Sequence, residues 1–221
     1  MLLKNIFLFL FAYIYFINSQ LSDSDRSQMV KIINEDQNEK SGMYREDLET
    51  TFRAVFALRQ LDETVGSSAN ICRELSYELN TKASLSMLQL NELLNCKLEI
   101  NPETFLKNFE KNSNNQNLGS VLERVEIESR LNLLNENSLS SYFNLAKSFV
   151  SNDNVFLSKP NSNENDAETS LLLNSYGIRL LGLISTNTET PELLNNISTL
   201  LRAILNNLNK SFYDLKDVIF S

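Results

Sequence analysis

Residues 45–61 read REDLETTFRAVFALRQL, and residues 164–180 read ENDAETSLLLNSYGIRL. Both stretches open on Asp-x-Glu-Thr-(Thr/Ser), at Asp47 and at Asp166, and run directly into a long apolar segment. Each aspartate stands where its side chain can accept from the first free N–H groups of a helix. Glu49 and Glu168 then fall in the first turn, where the helix dipole favours negative charge. Aligned on the two aspartates, only Asp, Glu, Thr and the final Leu coincide, so most of the echo is that of two capped helices. Both are apolar on more than one face, most clearly in SLLLNSYGIRLLGLI (170–184), and this pattern predicts two inner helices.

Working outward, the chain has only 5 Gly and 3 Pro in 221 residues and is poor in β-branched runs, which leaves little for strands or tight hairpins. It reads as all-α. Caps and polar clusters predict helices near residues 23–33, with Met29, Ile32 and Ile33 apolar, and then 48–61, 67–79, 82–95 and 101–112. Further helices are expected at 119–134, 138–149, 168–184, 191–208 and 211–219. The start at Asn101-Pro102-Glu103 is the clearest local signal, combining a cap, a proline suited to the first helical position and an early acid. Polar NEDQNEKSGMYRE (34–46) and SNDNVFLSKPNSNEND (151–166) read as connections. Inner helices separated by amphipathic pairs predict helical hairpins in a curved array or α/α toroid. An irregular helical bundle is the alternative.

Residues 1–19, MLLKNIFLFLFAYIYFINS, place one lysine before an apolar run from Ile6 to Ile17 and end in Asn18 and Ser19. This is the layout of a cleaved signal peptide, and the run is shorter than the roughly 20 residues of a comfortable bilayer span. Residues 20–221 are then expected to form a single helical domain. Cys72 and Cys96 are the only cysteines. In an oxidising lumen two such thiols usually pair, and a Cys72–Cys96 disulfide is expected, with two separate buried thiols as the alternative.

The net charge of −8, without a basic stripe, argues against nucleic acid or anionic lipid as a partner. The chain has no histidine, which excludes Ser-His-Asp and Cys-His nucleophilic sites and removes the commonest zinc ligand. Bridged cysteines cannot hold zinc either. Asp47-Glu49 and Asp62-Glu63 could be pictured as acid and base, but their places at helix ends favour solvated caps. Tyr44, Tyr142, Tyr176 and Tyr213 read as packing residues with a wet hydroxyl, and Arg53 and Arg59 as surface contacts. No catalytic residue, metal site or cofactor is expected. Asn196-Ile197-Ser198 and Asn209-Lys210-Ser211 are glycosylation sequons, both inside expected helices of a chain with 30 asparagines.

Taken in order, LSDSDRSQMVKII, LETTFRAVFALRQLDETV, ANICRELSYEL, LLNCKLEINPETF and AETSLLLNSYGIRLL resemble the N-terminal lumenal domain of the ribophorin II family, delta-type accessory subunits of the endoplasmic reticulum oligosaccharyltransferase. The resemblance covers nearly all of the chain beyond the leader. It implies a helical-hairpin lumenal domain without catalytic activity, supporting protein N-glycosylation through contacts with other oligosaccharyltransferase subunits. Cys72 and Cys96 match as a structural bridge. Family members continue into a β-rich region and membrane spans that these 221 residues do not contain, so membrane association is expected only through partners. The implied location is the endoplasmic reticulum lumen. A soluble secreted α/α-toroid protein that binds a small ligand or a protein partner is the second reading.

Overall fold

Most helices of this chain begin where a short polar side chain takes up a free backbone N–H. The computed structural model describes residues 22–79, 81–112, 117–160 and 167–219, and their side chains except at 112, 167–171 and 209–219. The expected leader (1–19) and Asp166 of the second motif lie outside the described residues. Among those described there are nine α-helices and no strand, only the isolated bridges Gln37–Tyr44 and Val150–Phe156. The all-α expectation holds.

The helices are α1 (Asp23–Glu35), α2 (Leu48–Gln60), α3 (Ser68–Glu78), α4 (Leu85–Leu94), α5 (Pro102–Asn112), α6 (Leu118–Arg130), α7 (Glu136–Ser148), α8 (Ala167–Asn187) and α9 (Pro191–Ile219). Ser22, Asp47 and Ser84 accept from the N–H groups of Asp25, Thr50 and Met87. Asn117 and Asn135 do the same for Ser120 and Ser138, each satisfying one orphan donor. Asn101 accepts from Thr104 N–H at 2.9 Å, and Pro102 opens α5 as expected. The two helices expected at 191–208 and 211–219 are instead one, α9. No Gly or Pro follows Pro191 to interrupt the backbone bonds.

The chain divides into two compact units, residues 1–100 and 101–221. In the first, α4 packs on both α2 and α3. Its Met87 and Leu90 are fully buried, as are Val55 and Leu58 of α2 and Ile71 and Leu75 of α3. The sequence pattern cast α2 as an inner helix, and here the structure differs. Phe56 is 44% exposed and α2 buries only Thr51, Val55 and Leu58, with the exposed Arg53 and Arg59 on the face of Phe56. Helix α1 has no buried residue, and its Met29 and Ile32 point to solvent. It is tied down by polar contacts: Arg26 donates to the Leu61 carbonyl at 3.4 Å, and Asn34 accepts from the Tyr44 hydroxyl at 2.9 Å.

In the second unit α8 packs against α6, α7 and α9, and its Leu180, Leu181 and Ile184 are wholly buried. This is the inner helix that the sequence predicts. Burial of each such side chain stabilises the fold by about 1.5–3 kcal/mol.

Both segments read as connections carry core residues. In the first unit Met43 and Tyr44 are buried, and the Tyr44 N–H donates to Thr51 Oγ1 of α2 at 2.9 Å. In the second, Phe156 and Leu157 are buried, and the Phe156 N–H donates to Asn174 Oδ1 of α8 at 3.0 Å. Each unit thus folds an antiparallel bridge beneath a helix, buries its aromatic residue, and satisfies that residue's N–H with a buried polar side chain. The Phe156 ring lies against the bare backbone of Gly177, where a Cβ would come within 2.2 Å of the ring. At Gly182, five residues on, a Cβ would meet nothing within 4 Å.

These two glycines of one helix give opposite expectations. Gly177→Ala should destabilise the protein by about 1–3 kcal/mol through overpacking, whereas Gly182→Ala should stabilise it by up to about 1 kcal/mol through helix propensity. Urea unfolding of the two variants, followed by far-ultraviolet circular dichroism, checks both signs. Equal effects would refute the packing of Phe156 on Gly177.

Candidate functional site

The one covalent link between elements joins α3 to the end of α4. Cys72 sits on α3 and Cys96 just beyond α4, with Cα atoms 5.2 Å apart and the disulfide formed. Local backbone geometry aims Cys96. Asn95 takes a left-handed conformation at φ 53°, which asparagine tolerates better than most residues. The Cys96 N–H then donates to the Asn91 carbonyl at 3.0 Å, and the Asn95 N–H to that of Glu92 at 3.2 Å. The Asn91 side chain accepts from Leu98 N–H at 3.1 Å and holds the next residues in place. Both cysteines are half-buried and bridged, so their role is structural.

The acidic pairs are helix-end devices. Asp47 is exposed, and the hydrogen bonds it accepts from Thr50 hold its carboxyl below the usual range. Glu49 is exposed and paired with Arg53 one turn on. Asp62 is left-handed at φ 57° and closes α2: its N–H donates to the Arg59 carbonyl at 3.2 Å, and the Glu63 N–H to that of Leu58 at 2.9 Å. This paired pattern is a common helix ending. Arg59 is exposed. Of the tyrosines, Tyr44 and Tyr142 depart from the wet-hydroxyl expectation, since both hydroxyls are bonded within the protein. Tyr176 is half-buried, and the Tyr213 side chain lies outside the described residues.

Sequence reasoning missed three charged ties in the second unit. Arg124 of α6 reaches Glu110 of α5 at 2.9 Å and Glu128 of its own helix at 2.9 Å. It also donates to the Tyr142 hydroxyl of α7 at 3.0 Å, and that hydroxyl donates to Glu128 at 2.6 Å. Burial first, and this bond second, push the Tyr142 hydroxyl well above its ordinary value. The second tie is Glu126, only 4% exposed on α6, which meets Arg179 of α8 at 2.5 Å. That contact is an ion pair without good hydrogen-bond alignment, and burial raises the Glu126 carboxyl. The third is Glu136, in the first turn of α7. It accepts from the Thr188 hydroxyl at 2.7 Å, the Glu189 N–H at 2.9 Å and the Thr190 hydroxyl at 2.8 Å, clasping the turn between α8 and α9. Those bonds, led by the one from Thr188, lower its pKa.

Only the Arg124–Glu128 pair, at the i,i+4 spacing, carried a sequence signal for any of these contacts. Glu136 bonds residues more than fifty positions away. Among the described residues, no three of His, Cys, Asp and Glu gather where they could hold a cation. No described helix is long and apolar enough to cross a membrane. Asn196 is exposed on α9 beside buried Ile197, while the Asn209 side chain lies outside the described residues.

A disulfide ties helices within the first unit and charged clasps tie helices within the second, and the described residues define an all-α class of protein. The chain belongs to the family of the ribophorin II N-terminal domain, whose model matches residues 21–219. No curated protein and no solved structure matches it.

The bridge closes a loop spanning a sequence separation of 24. Replacing both Cys72 and Cys96 by Ala should therefore cost about 3 kcal/mol in chemical unfolding. A change within about 0.5 kcal/mol, the range of a neutral surface substitution, would show that the bridge contributes little.

Glu136 and Glu126 should respond to pH in opposite senses. The folded pKa of Glu136 is lowered, so its stabilisation is complete above the ordinary value of 4.5 and is lost as pH falls through the lower folded value. Glu126 is raised, so its ionisation opposes folding above its folded pKa, and that penalty vanishes below 4.5. Unfolding of Glu136→Gln and Glu126→Gln at neutral and acid pH tests this. Acidification should shrink the deficit of Glu136→Gln, and should raise the wild type relative to Glu126→Gln.

Proposed function

We propose that this chain is a non-catalytic accessory component of the endoplasmic reticulum oligosaccharyltransferase. In this reading residues 1–19 direct entry to the lumen and are removed, and residues 20–221 serve as a lumenal domain that supports the transfer of glycans to nascent proteins. The observation that carries it is the ribophorin II match over residues 21–219, which spans almost everything beyond the leader. The Cys72–Cys96 bridge suits an oxidising lumen. Contacts with the complex are protein–protein, and membrane association comes through those partners.

A scaffold requires a rigid body more than a pocket. The buried Leu180, Leu181 and Ile184 of α8, with Phe156 seated on Gly177, fill the centre of the second unit with side chains. That packing favours the scaffold over a small-molecule carrier, whose ligand needs a largely preformed cavity.

Affinity purification of the tagged chain from mildly solubilised microsomes tests membership. Co-recovery of the catalytic transferase subunit is expected. Its absence from a preparation in which the chain is folded and its bridge formed would overturn the reading.

A further inference from the structure

The Asn196-Ile197-Ser198 sequon plays no part in the scaffold reading, and the structure places its three residues in sharply different surroundings. Asn196 is exposed, as are Glu192, Asn195, Thr199 and Arg202, which form one solvent-facing stripe of α9. Ile197 is 2% exposed and belongs to the core shared with α6, α7 and α8. Ser198 is partly covered. We propose that Asn196 is an N-glycosylation acceptor that is used before α9 winds and is closed to the transferase once the second unit has folded.

The first half follows from exposure. A glycan on Asn196 would project from the middle of the polar stripe and displace no packed side chain. The Cys72–Cys96 bridge is independent evidence of the oxidising compartment in which sequons are read. The second half follows from helix geometry. In a sequon the hydroxyl two residues on must approach the acceptor amide, but at 3.6 residues per turn positions i and i+2 point to nearly opposite sides. In α9 the Asn196 amide and the Ser198 hydroxyl therefore cannot meet. Bringing them together requires unwinding this turn, and that withdraws Ile197 from the core.

The start of α9 also depends on earlier parts of the chain. Glu136 of α7 holds residues 188–190, and the Thr190 carbonyl accepts the first helical bond, from Leu194 N–H, at 3.1 Å. An amphipathic helix gains most of its stability from such packing. A newly made segment therefore has an interval in which the sequon is open.

The chemistry balances with a lipid-pyrophosphate-linked oligosaccharide as donor. Asn196 Nδ2 attacks C1 of the first sugar, and the N–C1 bond forms as the C1–O bond to the pyrophosphate breaks. The lipid pyrophosphate leaves with the electron pair, and a base of the transferase takes one amide proton.

The test uses the full chain expressed through the secretory pathway. Glycosidase release in heavy-oxygen water, followed by peptide mapping, should find labelled Asp at position 196 in most molecules, and Ser198→Ala should remove one glycosidase-sensitive step in gel mobility. Unglycosylated, bridged, folded chain is then offered to a transferase extract with the lipid-linked donor, beside a peptide of residues 190–202. The folded chain should react more slowly by roughly two orders of magnitude, the penalty of opening a packed helix locally. Unmodified Asn196 in a bridged chain overturns the site, and equal rates overturn the order of events. Neither result depends on recovery of the transferase in complex with this chain, so failure here is distinct from failure of the proposed function.

Discussion

Close approach of Phe156 to the backbone of Gly177 is the constraint on which the second unit turns. Gly177 costs the helix stability relative to alanine, and the ring it admits fills the place where any side chain would stand. Once seated, Phe156 presents its N–H to Asn174, so α8 both covers the connection and satisfies its backbone. The same solution recurs in the first unit with Tyr44 and Thr51. A buried connection must account for its polar backbone groups, and here a helix side chain does so in each unit. The two units thus share a way of docking an aromatic connection against a helix, with the acceptor at different positions of the two stretches. Asp47 caps the first of these helices, and the docking itself is done by buried Thr51 and Asn174.

Electrostatic ties then link the helices of the second unit. Arg124 binds α5, α6 and α7 through one guanidinium, and Glu136 fastens α7 to the turn between α8 and α9. Exposed ion pairs such as Arg53–Glu49 contribute little by comparison, because solvent screens them and side-chain entropy opposes them. Glu126 is of another kind: a buried carboxylate whose ion-pair partner Arg179 is itself more than half exposed. It links α6 to α8, and its burial costs stability.

A domain built in this way suits the ribophorin II family to which it belongs. Its described residues are spent on capped helices, a disulfide staple in the first unit and interlocking charges in the second. In the first unit the bridge joins α3 to the end of α4, beside the buried Ile71, Leu75, Met87 and Leu90. Asn95 in its left-handed turn decides that Cys96 meets Cys72, so the staple depends on a local backbone choice as well as on redox environment.

Local chemistry made much of this legible in advance. Asp47 and Asn101 announce their helices because a cap interacts with its own neighbours, and Cys72 and Cys96 had only each other to pair with. Leu180, Leu181 and Ile184 revealed an inner helix through their period, and the scarcity of Gly and Pro left little but helix. What sequence could not determine were facts about distance along the chain. Glu136 reaches residues more than fifty positions on, Phe156 selects Gly177, and Phe56 is exposed because no described element covers it. Capping, helix period and composition are properties of neighbouring residues, whereas burial is settled by whichever distant segment arrives. Tertiary structure alone therefore decided that Tyr44 and Phe156 are core, that Glu126 is buried, and that Asn196 faces water while Ile197 does not.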